Sequence, residues 1–188
     1  MAAADRLLRY IASTAELGLT FCSYNNPSTL CAYVDSSRDC YSDSKSHSGI
    51  SFYLDQYSGA FLFLSIKQTI TTDSSTVAEF VATHSAYQKI FWAQNLLNEI
   101  NFISSIPTIL YQDNQSTISL ILHKGNAGRT KHIALRYNTI RECVKTNNIS
   151  IQYFLTDQMI ADTLTKPLGA ILFNIHQDRI LNLSPPKV

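Results

Sequence analysis

Four carboxylates stand where side chains from separate elements could meet. Asp35 and Asp113 each close an apolar run, Glu79 lies early in a long amphipathic stretch, and Asp162 lies in a late helical segment. Carboxylates gathered in one place repel one another and raise each other's pKa unless a cation lies between them. Hard cations such as Mg²⁺ suit an all-oxygen site. Two such ions, about 4 Å apart, can activate a water and stabilise the leaving oxygen in phosphodiester hydrolysis. Each acid also has a plainer reading. Asp113 could cap the helix that follows it. Glu79 and Asp162 could favour the positive N-terminal ends of their helices, and Asp35 could shape a turn at Ser36 and Ser37.

The flanking segments decide whether the four can converge. "TLCAYVD", "GISFYLD" and "GAFLFLSIK" read as three strands, and a short turn after the second suggests an antiparallel meander. "TTDSSTVAEFVATHSAYQKIFWAQNLLNEI" predicts a long helix, capped by Ser74 or Ser75, with Val77, Phe80, Val81, His84, Tyr87, Phe91 and Leu97 on its apolar stripe. A fourth strand ("PTILYQD"), a helix ("QSTISLILHK") and a basic loop ("KGNAGRTKH") follow. Ile133, Tyr137, Ile140 and Val144 then mark a third helix, "NISIQYFL" a fifth strand, and a last helix starts near Thr156. The order β-β-β-α-β-α-α-β-α predicts an α/β fold, a five-stranded mixed sheet with helices on its faces. Right-handed crossovers set the fourth and fifth strands parallel to the first. Asp35 and Asp113 then share the carboxyl edge of neighbouring strands, where open α/β sheets place their sites.

The chain has 188 residues, room for one domain and an appendage. "RLLRYIASTAELGLTF" predicts a helix with Leu7, Leu8, Ile11 and Leu17 on one side, ended by Gly18. The turn "NNPST" then divides an N-terminal tether, 1–25, from a main domain, 28–168, and a C-terminal tail, 169–188. A net charge of +1 supplies no global attraction for nucleic acid. Cys22, Cys31, Cys40 and Cys143 have no zinc-finger spacing, which predicts reduced thiols and an intracellular setting. The apolar runs fall short of a bilayer span, so no membrane partner is expected. Phosphate-loop, dinucleotide-binding, zinc-protease and nucleophile-elbow motifs are all missing from the sequence.

Five segments in order, "YVDSSRDCYSDSKSHSGISFYL", "KQTITTDSSTVAEFVATHSA", "YQDNQSTISL", "GRTKHIALRYNTIRE" and "DQMIADTLTKPL", resemble the ribonuclease H domain of copia-type LTR retrotransposon Pol polyproteins. They span most of residues 30–168, and "RLLRYIASTAELGLTF" resembles the link between that family's reverse transcriptase and its ribonuclease H. The resemblance implies the ribonuclease H-like fold, with Asp35, Glu79, Asp113 and Asp162 as catalytic residues and metal ligands. It implies two Mg²⁺ ions, with Mn²⁺ as a substitute, and endonucleolytic cleavage of the RNA strand of RNA–DNA hybrids during reverse transcription. The implied partners are the hybrid and the reverse transcriptase portion of the same polyprotein, in the cytoplasm or nucleus.

Asp39, Asp43, Asp55 and Asp73 fall outside the implied set and read as turn residues and solvated acids. Ser36 and Asn114 follow the two strand-end acids and read either as minor-groove contacts or as ordinary turn and cap residues. Arg129, Lys131 and His132 form a compact basic cluster that reads either as a phosphate contact or as a solvated loop. The chain departs from the family at Ser37 and Arg38, where an acidic residue and Trp are usual, at Val77, often Glu, and at "YFLT" before the last helix. Two alternatives stay open: a catalytically decayed relic serving only as a binding or structural module, and an integrase- or transposase-like nuclease of the same fold. The four-acid pattern argues against the second.

Overall fold

Strand β1 (Ser28–Ser37) is the hub of the molecule because it is apolar on both faces. Residues 30–34 are at most 2% exposed, as a central strand covered on two sides requires. The structure is a computed structural model and describes residues 2–22, 28–38, 40–102, 104–123 and 131–183. Around β1 lie β2 (Lys45–Tyr53), β3 (Ala60–Thr71), β4 (Ser104–Gln112) and β5 (Ile149–Tyr153), in the order β3-β2-β1-β4-β5. β1, β2 and β3 pair antiparallel; β1 with β4 and β4 with β5 pair parallel. This is the expected mixed sheet.

The layer on one face is α2 (Ser75–Glu99) with α3 (Gln115–Leu122) and α4 (Lys131–Lys145). Ser74 caps α2, accepting the Val77 N–H at 3.3 Å. Of the expected apolar stripe of α2, Phe80, Val81 and Leu97 are buried, but the fully buried inner line also runs, beside Ile90, through the alanines Ala78, Ala82, Ala86 and Ala93. These small residues bring the helix close to Ala32 and Val34, while Tyr87 and Phe91 pack at the rim. Phe80 turns to stack on Tyr137 of α4, ring centroids 3.6 Å apart.

On the other face, Cys31 and Tyr33 pack against Tyr53, Met159, Ile160 and Ala161. Here the expected last helix gives way to two 3-10 turns, Thr156–Gln158 and Ile160–Leu164. The segment is short, is stopped before Pro167 and is pressed onto β2. A Cβ at Gly49 would lie 2.6 Å from the Ala161 carbonyl oxygen and 2.7 Å from Thr165 Cγ2. Within the expected C-terminal tail, 170–181 forms a helix, α5 (Ala170–Leu181).

The N-terminal helix, α1 (Ala2–Ser13), ends five residues before Gly18. It leans on α5 through an edge contact of Tyr10 with Phe173 and a bond from Gln177 Nε2 to the Tyr10 hydroxyl at 2.7 Å. Thr20 ties the following segment down, donating its N–H to Leu181 O and accepting the Gly59 N–H, both at 2.9 Å. A Cβ at Gly59 would lie 2.8 Å from the Thr20 carbonyl oxygen, so only glycine allows this approach. Leu7, Leu8 and Ile11, the expected apolar stripe, are 54–65% exposed. Among the described residues no helix is long and apolar enough to cross a membrane.

Candidate active site

Parallel pairing of β1 with β4, with Val34 opposite Gln112, brings Asp35 and Asp113 to the same edge of the sheet. Glu79, in the second turn of α2, reaches that edge from the helical layer. Asp35, Glu79 and Asp113 each offer one carboxylate oxygen, and the three lie within 4.8 Å of one another. Asp35 and Glu79 are buried and Asp113 half-buried. Asp162 approaches from the 3-10 turn on the opposite face. It stands outside the close group: its Oδ2 pairs with Lys166 Nζ at 2.9 Å, and its buried Oδ1 has no hydrogen-bond partner among the described residues.

The electrostatics are those of crowded carboxylates. Burial, reinforced by the charges of Asp35 and Asp113, pushes Glu79 up to about 9. Burial also lifts Asp35 to about 6, against the lowering effect of a hydrogen bond from Thr165 and with the charge of Asp162 adding to the rise. Asp113 rises through burial and the charge of Asp35. Burial alone would lower the Lys166 ammonium, but its bond to Asp162 and the charges of Asp35, Asp162 and Asp113 raise it.

The plainer readings of the acids sort themselves by hydrogen bonds. Asn114, not Asp113, caps α3, its Oδ1 accepting the Thr117 N–H at 2.9 Å. Ser36 and Ser37 belong to β1 rather than to a turn, and the Ser36 N–H donates to Glu79 Oε1 at 3.2 Å. The Ser36 hydroxyl is buried and without a partner among the described residues. Arg129 lies outside the described residues, and Lys131 and His132 open α4 with side chains that are likewise not described. Asp39 is outside the described residues as well. Asp43 is exposed and pairs with Lys67 and Lys45 at 3.0 and 3.4 Å. Asp55, expected to be solvated, is fully buried, its Oδ1 accepting the Tyr57 N–H at 3.0 Å.

Three site residues escape a reading of the sequence alone. Gln112 Nε2 donates to Glu79 Oε2 at 3.2 Å, Thr165 donates its hydroxyl to Asp35, and Lys166 holds Asp162. Thr165 and Lys166 follow Asp162 by three and four positions, one helical turn, which is the signal that could have marked them. Gln112 falls on the same strand face as the buried Thr108 and Leu110, and a polar residue at such a core position needs a partner. Beyond Thr165 an open groove of about 410 Å³ is lined by Tyr41, His47, Ser65, Thr163 and Lys166, among others. There the Tyr41 hydroxyl meets His47 Nδ1 at 2.6 Å and His47 Nε2 meets Ser65 Oγ at 2.7 Å. Ser65 donates to the Leu164 carbonyl at 2.8 Å, so β2 and β3 also hold the 3-10 turn that carries Asp162.

No protein-family model matches the chain. It is 33% identical over 172 residues, 91% of its length, to the retrovirus-related Pol polyprotein from transposon RE2 of Arabidopsis thaliana. It is 30% identical over 175 residues, 93% of its length, to the Pol polyprotein from transposon TNT 1-94 of Nicotiana tabacum. Over more than nine-tenths of its length the chain is similar to a segment of transposon Pol polyproteins. The chain spans only 12–13% of the length of those relatives. Its fold is that of ribonuclease H. The structure of LC11-RNase H1, isolated from compost, superposes with a TM-score of 0.56 at 14% identity, covering 73% of the chain and 93% of that protein. The same RNase H1 in complex with an RNA/DNA hybrid superposes with a TM-score of 0.53 at 12% identity, covering 73% and 94%.

Proposed function

We propose that this chain is a ribonuclease H that cleaves the RNA strand of RNA–DNA hybrids endonucleolytically, with Mg²⁺, or Mn²⁺ in its place. The observation that carries the reading is the convergence of Asp35, Glu79 and Asp113 at the carboxyl edge of a ribonuclease H-fold sheet. The donor set fits a hard cation, because it consists of carboxylate oxygens without nitrogen or sulfur. The orphaned, buried Asp162 Oδ1 and the raised Asp35 and Glu79 speak for the same ligand, since a cation would answer both the missing partner and the repulsion.

Asp35, Glu79 and Asp113 would hold the cation, and Asp162 is the fourth carboxylate, available for a second. When bound, the cation supplies Lewis-acid activation of water and neutralises charge at the phosphodiester. The protein's own part is to orient. Thr165 fixes the Asp35 carboxylate, and the Ser36 N–H holds Glu79. Lys166 offsets the charge on Asp162. Asn114 borders the acids and is assigned to the minor groove of the hybrid, with Arg129, Lys131 and His132 assigned to its phosphates; the Ser36 hydroxyl is buried and is not assigned a substrate contact. A net charge of +1 gives weak grip on a polyanion, so tight binding is assigned to the reverse transcriptase portion of the same polyprotein, joined through the 1–25 tether. The site of action is wherever reverse transcription takes place, in the cytoplasm or nucleus.

The test supplies the purified chain with labelled RNA–DNA hybrid, single-stranded RNA and duplex DNA, in Mg²⁺ or EDTA. Metal-dependent cleavage confined to the hybrid supports the proposal. Nicking of duplex DNA points to integrase-like chemistry instead. An intact hybrid, even with a reverse transcriptase fragment added, overturns the proposal in favour of a decayed copy.

A further inference from the structure

Gln112 is the last residue of β4 and is fully buried. An amide in that position has to satisfy its donors and its acceptor within the protein. It does so with three bonds. Nε2 donates to Glu79 Oε2 at 3.2 Å and to Thr83 Oγ1 at 3.1 Å, and Oε1 accepts the Asn114 N–H at 2.9 Å. The bond to Asn114 sets the direction of the amide: its oxygen must face that N–H, so its NH₂ must face Glu79. Thr83 has already given its proton to the Glu79 carbonyl at 2.8 Å, which leaves it a lone pair for Gln112.

Glu79 therefore has one donor on each carboxylate oxygen, the Ser36 N–H on Oε1 and Gln112 on Oε2. The two donors come from the ends of β1 and β4, the strands that also carry Asp35 and lead into Asp113. A glutamate side chain on a helix has several rotamers to choose from, and freezing them costs entropy. Clamping between the two strand ends places its carboxylate in register with the acids of those same strands. Each oxygen keeps a free lone-pair direction for a further ligand.

We infer that Gln112 is a positioning residue that sets the Glu79 carboxylate where it, Asp35 and Asp113 together take one divalent cation. This rests on the reading of those acids as a metal site. Groups that hydrogen-bond a metal ligand from behind fix its orientation, and their loss weakens metal binding by about 10–100-fold.

The experiment reads Mn²⁺ affinity by electron paramagnetic resonance of the free ion, alongside thermal unfolding, in the wild type, Gln112→Met and Gln94→Met. Gln94 serves as the matched control, an amide on α2 bonded to Thr108 Oγ1 at 2.9 Å and not to any of the acids. The expected result is Mn²⁺ binding weakened about tenfold or more in Gln112→Met, at temperatures where it is fully folded, and unchanged in Gln94→Met. Should Gln112→Met fail to fold, Gln112→Asn, a methylene too short to span to Glu79, gives the same readout. Wild-type affinity in the Gln112 variants overturns the inference alone. A wild type that binds no Mn²⁺ overturns the metal-site reading and the inference with it.

Discussion

Thr165 donates its hydroxyl to the Asp35 carboxylate, joining the turn after β5 to the end of β1 across 130 residues of chain. The same hydroxyl lies 3.2 Å from the Asp162 carbonyl, so one side chain couples the backbone at the fourth acid to the carboxylate of the first. Thr165→Val keeps the shape and removes the donor. A buried hydrogen bond to a charged acceptor is worth about 1.5–3 kcal/mol, and urea unfolding at pH 8 in EDTA should show a loss of that order. Thr165→Ser should recover most of it.

Asp113→Asn separates stability from function. It removes one of the carboxylates that crowd Asp35 and Glu79, so the metal-free protein at pH 8 should melt a few degrees higher, about 2–4 °C for each kcal/mol gained. Mg²⁺ should raise the melting temperature of the wild type and leave that of the variant unmoved. Paired scans in Mg²⁺ and in EDTA check both halves.

The pH dependence follows from carboxyls raised rather than lowered by folding. Glu79 is lifted from 4.5 to about 9 and Asp35 from 3.8 to about 6. Between those limits the folded protein keeps protons that the unfolded chain releases, so the stability of the metal-free protein falls as pH rises. The contribution is fully present below about pH 4 and is lost by about pH 9. Mg²⁺ competes with those protons, so the stabilisation it gives should grow across the same window. Urea titrations from pH 5 to pH 9, with and without Mg²⁺, read this out; a flat profile in EDTA would contradict it.

Much of this was legible in the chain, and the limits have physical causes. Short apolar runs at 30–34 and 109–111 mark the strands, and chirality fixes their parallel pairing, so Asp35 and Asp113 could be placed side by side beforehand. Glu79 followed from the Ser74 cap, which sets the start of α2. Gln112 and Thr165 act on acids carried by other elements, Glu79 and Asp35, and nothing in local periodicity records those contacts, whereas Lys166 stands four positions after Asp162, a spacing that could have marked it. Helical spacing around Asp162 suits α and 3-10 turns alike; the tight seat against Gly49 selects the latter. α5 was missed because Ile171 and Ile175 face outward at 82% and 57% exposure, which blurs its apolar face.

Gly49 gives a steric prediction. It pairs directly with Asp35 across β1 and β2, and the turn bearing Asp162 rests on it. Gly49→Ala must push that turn outward, at a cost of about 1–3 kcal/mol. Hybrid cleavage should fall further than stability does, because the displaced residues include Thr165 and Asp162. Comparing cleavage rates at a temperature where the variant is fully folded tests this.

The most direct test follows metal occupancy and hybrid cleavage in the same samples. Mn²⁺ is titrated into the wild-type chain with a labelled RNA–DNA hybrid, and bound ion and cut RNA are both measured. Occupancy and cleavage rising together, and both disappearing in Asp113→Asn, is the result expected of a ribonuclease H. Full occupancy that requires Asp113, with the hybrid left uncut even beside a reverse transcriptase fragment, would contradict it.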